Sequence, residues 1–150
     1  MKTEDVKKML LNNSSEVSRL HAVVHETWRH RDENPEAHHA WVQAAEEFRN
    51  RYDELAFPGG YEGALERLLE GDSLAMEAAI CFLELRPYFF RSGYMFKDFL
   101  RKSRKAPLTQ NQKTRLAAIE AAVSEWRKQK FSLLGKTSTN SHSSRSTTNV

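Results

Sequence analysis

The 150-residue chain has one cysteine, 6 glycines, 4 prolines and no long apolar run. Each shortage excludes a class of protein. A single thiol, Cys81, forms no internal disulfide and, alone, no cysteine-based zinc site. So little glycine and proline, beside 39% hydrophobic residues, excludes collagen-like, disulfide-framework and wholly disordered chains. The longest apolar-rich stretch, 75–85, is interrupted by Glu77 and Glu84 and falls short of the roughly 18–20 residues a membrane span takes. The opening MKTEDVKKMLLNN puts acids ahead of a short apolar patch, unlike a secretory signal. Acid is scarce in the second half: residues 81–150 hold 14 Lys and Arg against 4 Asp and Glu, a net +10. Residues 1–80 hold 9 against 16, a net −7. Such polarity speaks to partners or to internal compensation, not to fold. The expectation is one soluble cytoplasmic domain over 2–133, with no cofactor and no membrane partner.

What is present is helical periodicity. Thr3 as N-cap with Glu4 and Asp5 in the first turn predicts a short helix to Leu11, broken by Asn12-Asn13-Ser14-Ser15. A second helix from Glu16 to His30 carries Val17, Leu20, Val24 and Trp28 on one face. Asn34-Pro35-Glu36 starts a third, lasting to Leu55 with Ala37, Trp41, Ala44, Phe48, Tyr52 and Leu55 as its stripe. The turn between them is short, so the two form an antiparallel hairpin. Phe57-Pro58-Gly59-Gly60 ends that unit. Tyr61–Glu70 and Ser73–Arg86 form a shorter hairpin through Gly71 and Asp72. The segment 73–86 is apolar nearly all round and reads as a central buried helix. After Pro87 a helix spans Tyr94–Lys105, and Thr109 with Gln112 caps a last one over Gln110–Lys130 with Leu116, Ile119, Ala122, Val123 and Trp126 inward. From Gly135 onward 9 of 16 residues are Ser or Thr, which predicts a disordered tail over 134–150. The fold class is all-α, with six to seven helices.

Three constellations could carry function. His21 and His25 stand one helical turn apart, and the hairpin geometry could bring His38 or Glu26 near them; such a set can hold zinc if three ligands converge. A boundary cluster of histidines needs no metal and is the plainer reading. The stretch 86–100 interleaves six aromatics with Arg86, Arg91 and Lys97. Phe96, Phe99 and Leu100 face inward on the wheel, which leaves Arg91-Ser92-Gly93-Tyr94 as an exposed bend with Gly93 free to take positive φ. Beside it Lys97, Arg101, Lys102, Arg104 and Lys105 form a basic stripe, which a partner or solvent alone could cover. No phosphate-cradling loop, nucleophile elbow or supported Cys-His pair points to an enzyme. The reading is therefore a non-enzymatic protein-protein interaction module using Arg91, Tyr94, Lys97, Arg101, Arg104 and Lys105. The alternatives are phosphate-backbone binding of nucleic acid by the basic half, and metal binding at His21, His25 and His38.

Overall fold

The computed structural model describes the backbone of residues 1–148 and the side chains of residues 1–133; the Ser/Thr-rich tail expected over 134–150 lies outside the fully described residues. Six helices and no strand occur among the described residues: α1 Thr3–His30, α2 Pro35–Ala56, α3 Ala64–Glu70, α4 Ser73–Leu85, α5 Ser92–Ser103 and α6 Gln110–Thr148. None of the described helices is long and apolar enough to cross a membrane. The chain divides into two units, Met1–Lys113 and Thr114–Val150.

In the first unit α1 and α2 pair as the expected antiparallel hairpin. The predicted break at 12–15 does not occur, because α1 runs unbroken through it. Val6, Leu10, Ser14, Val17 and Leu20 form one continuous buried stripe, with the small Ser14 inside it. Packing along that stripe outweighs the weak helix preference of Asn and Ser. Thr3 is not the cap either: Lys2 takes that place without a side-chain bond, and the Thr3 hydroxyl donates instead to Glu77 Oε2 at 2.8 Å. Asn34 does cap α2, its Oδ1 accepting from the Ala37 N–H at 2.7 Å.

Helix α3 begins at Ala64, three residues later than the pattern suggests, because the chain from Phe57 to Gly63 is held as a turn. Arg67 reaches back to donate to the carbonyls of Gly60 at 2.6 Å and Glu62 at 3.1 Å, while Asp53 Oδ1 accepts from the Glu62 N–H at 2.7 Å. Gly71 ends α3 in the left-handed conformation, and Asp72 caps α4 by accepting from the Ala75 N–H at 2.9 Å.

Helix α4 is the central element. It packs on α1, α3 and α5, and Ala75, Met76 and every residue from Ala78 to Leu83 are buried. Phe82 meets Phe89 and Phe99 at 6.2 and 5.2 Å between ring centroids, and Phe57 stacks on Phe99 at 4.6 Å. This aromatic chain fixes the approach of α5 to the core. The capping box at 109–112 closes reciprocally, with Thr109 N–H donating to Gln112 Oε1 at 3.0 Å and Gln112 N–H to Thr109 Oγ1 at 3.2 Å. In the second unit Leu116, Ile119 and Val123 are buried as expected, whereas Ala122 and Trp126 are exposed.

Candidate protein-interaction surface

The bend between α4 and α5 is held by backbone conformations that few side chains adopt. Arg86 ends α4 at φ 49° and Arg91 opens α5 at φ 68°, and these are the two non-glycine residues of positive φ among the described residues. Left-handed backbone costs such a residue roughly 1 kcal/mol or more and persists where its surroundings over-determine it. Helix α5 starts two residues before its predicted start, so Gly93 lies inside its first turn without positive φ. Arg91 takes the conformation that the sequence assigns to Gly93.

Several contacts over-determine the bend. The Phe89 N–H donates to Ser92 Oγ at 3.1 Å and the Ser92 N–H to the Phe89 carbonyl at 2.9 Å. Tyr52 of α2 donates its hydroxyl to the Phe90 carbonyl at 2.6 Å. His21 of α1 stacks on the Phe90 ring at 5.0 Å, and Phe48 meets the same ring at 5.7 Å. Burial raises the Tyr52 phenol above its ordinary value, so it stays a neutral donor at physiological pH. The hairpin thus supports the bend from beneath.

Above that support the bend is open. Tyr88 is 92% exposed, Tyr94 71% and Phe90 41%. The Arg91 guanidinium lies 5.4 Å from the Phe90 ring, and that of Arg86 lies 4.4 Å over Phe96. Phe99 and Leu100 are buried as expected, while Phe96 is only half-buried beneath its arginine. Lys97, Arg101, Arg104 and Lys105 are exposed along α5, and Lys102 is half-buried. The one acid within α5 is engaged: Asp98 accepts from Arg101 at 3.1 Å and from the Tyr61 hydroxyl at 3.3 Å. Burial, reinforced by Asp98, pushes the Tyr61 phenol up to about 12.

Of the three candidate metal ligands, two meet. His21 and His25 share a hydrogen bond, Nε2 to Nε2 at 3.2 Å, whereas His38 packs edge-on against Trp41. Among the described residues no group of three or more His, Cys, Asp or Glu could hold a metal ion. Burial and the neighbouring His25 lower the affinity of His21 for a proton. Cys81 is buried, its thiol 3.3 Å from Glu77 Oε2. Sequence reasoning missed the part played by His21, Phe48 and Tyr52 in holding the bend. Their stripe positions gave the signal, but not which segment they would meet.

No family model, curated protein or solved structure matches the chain.

Proposed function

We propose that the chain is a non-enzymatic interaction module whose contact surface is the bend 86–94 together with the basic face of α5, and whose partner is a protein. The observation that carries this reading is the exposure of Tyr88 and Tyr94 on a bend held by two left-handed arginines. Strained backbone concentrates where a surface must present fixed groups. Tyrosine and arginine, rigid or planar and able both to pack and to hydrogen-bond, are the commonest anchors of protein interfaces. Lys97, Arg101, Arg104 and Lys105 add a cationic flank suited to an acidic rim on the partner.

The test is affinity capture with the parent and with an Arg91→Ala/Tyr94→Ala variant. Both side chains are exposed, so the variant should melt with the parent yet lose its partner. Retention of every partner removes the bend as a site. The alternative, phosphate-backbone binding, rests on the same cations and is measured with single-stranded and duplex oligonucleotides at two salt concentrations. If about four phosphates were engaged, log affinity would fall with log salt at a slope near −3 to −4. An Arg101/Arg104/Lys105→Ala variant would abolish it.

A further inference from the structure

We infer that the exposed stretch of α6 from Trp126 to Leu133 is a helical ligand for an acidic protein whose apolar groove closes around it. This stretch shares no residue with the bend, and either proposal can fail without the other. From Trp126 to Lys136 the sequence carries Arg127, Lys128, Lys130 and Lys136 and no acid. Three large apolar side chains stand out of the helix among those cations: Trp126 is 48% exposed, Phe131 81% and Leu133 63%. Three such side chains within eight residues leave a large apolar area in water, which a docked helix buries.

The arrangement of the anchors selects the kind of partner. At about 100° per residue, Trp126 and Leu133 fall on one side of the helix and Phe131 about 140° round from Trp126. Each aromatic anchor has its own cations. The Lys130 ammonium lies 5.0 Å over the Trp126 ring. Phe131 shares an open depression with Arg127, Lys128, Ser124 and Ser132 on the other side. A flat anionic surface, such as a phospholipid headgroup layer, buries one side of a helix lying on it and leaves the other in water. It would therefore take Trp126 and Leu133 and forgo Phe131. A partner that encloses the helix takes all three, and acidic groups at its groove edges pair with cations distributed around the helix.

The experiment uses full-length protein and calcium-loaded calmodulin as the probe, because that protein is acidic and its apolar groove wraps an amphipathic helix. Calorimetry should give saturable one-to-one binding with a Kd of about 10 µM or tighter. Chelating the calcium closes the groove while leaving the probe acidic, so it should abolish the binding. Trp126→Ala and Phe131→Ala should each weaken it by about tenfold or more, as buried aromatic anchors do. No saturable binding at about 100 µM overturns the inference, since a matched groove gives more than this weak affinity. Binding that survives chelation, or that ignores Phe131→Ala, overturns it too, since either result means charge or a single face suffices. Attachment to phosphatidylserine vesicles that depends on Trp126 but not Phe131, with none to calmodulin, assigns the stretch to a flat lipid surface instead.

Discussion

Arg91 holds a left-handed conformation two residues before a glycine that has no need of its own freedom. A Cβ at Gly93 would meet nothing within 4 Å, and Gly93 sits in the first turn of α5. Gly93→Ala should therefore raise stability by about 0.5–1 kcal/mol in chemical denaturation, the ordinary gain of replacing a helical glycine. Gly60→Ala should do the reverse, because φ there is 91° and the new Cβ would fall 2.7 Å from Asp53 Oδ2. Two histidines of α1 offer a second check at this scale. His21 binds its proton less readily than usual, through burial and then His25, whereas the hydrogen bond that His30 donates to the Glu33 carboxylate raises the affinity of His30. Stability linked to His21 is thus fully present above the unfolded histidine pKa of about 6.5 and falls as pH drops through its lowered folded value. The contribution of His30 has the opposite sign, being present below the unfolded value and lost as pH rises through its raised folded one. Proton-detected titration should place His21 below and His30 above the ordinary histidine range. A His21 value above the ordinary range would contradict its burial beside His25.

Among the elements, local chemistry was legible and competition between local and tertiary terms was not. The Asn34 cap, the Gly71-Asp72 junction and the Thr109–Gln112 box each involve residues three or four apart, and each forms as its sequence suggests. The break at 12–15 is different. Asn and Ser disfavour a helix by only a few tenths of a kcal/mol each, and the buried stripe on either side of Ser14 decides the matter. Asn12 is exposed within the continuous helix, so Asn12→Ala should gain about 0.5 kcal/mol. No gain in denaturant midpoint would restore the break. The inward stripes were legible as faces, but a wheel does not say what covers a face: Trp28 and Trp126 share the apolar side of their helices and are 48% exposed. Nor does any residue pattern announce a left-handed arginine, so the shape of the bend was hidden while its aromatic and basic content was not. Helix α4 is the opposite case, since near-total apolarity has one outcome, burial on every side. Ile80→Ala should accordingly cost about 2–5 kcal/mol through lost transfer energy and a residual cavity.

For the molecule as a whole, the strongest cross-links are not the ion pairs. Most of the pairs that can be named join residues three or four apart on one exposed helix, as in Arg19–Glu16 and Arg51–Glu47, and such pairs contribute little. Glu77 of α4 instead ties segments far apart in sequence. Its carboxylate accepts from Thr3 in the first turn of α1, from Cys81 one turn along α4 and from Gln112 Nε2 at 3.1 Å in the first turn of α6. Gln112 simultaneously completes the capping box with its Oε1, so one glutamine couples the start of α6 to the central helix. Hydrogen bonds to a charged acceptor contribute more than neutral ones, and donors left unmatched away from water lose their solvation as well. Glu77→Ala should therefore cost about 2–4 kcal/mol in urea titration. Glu77→Gln should cost less, because one amide oxygen still accepts from Thr3 or Gln112 while the amide nitrogen cannot. Local effects on α4 alone would be reproduced in full when Thr3→Val or Gln112→Leu is already present. Coupling through the carboxylate requires the opposite: the cost of Glu77→Ala should shrink in either background, and double-mutant cycles that come out additive would dissolve the link between the three helices.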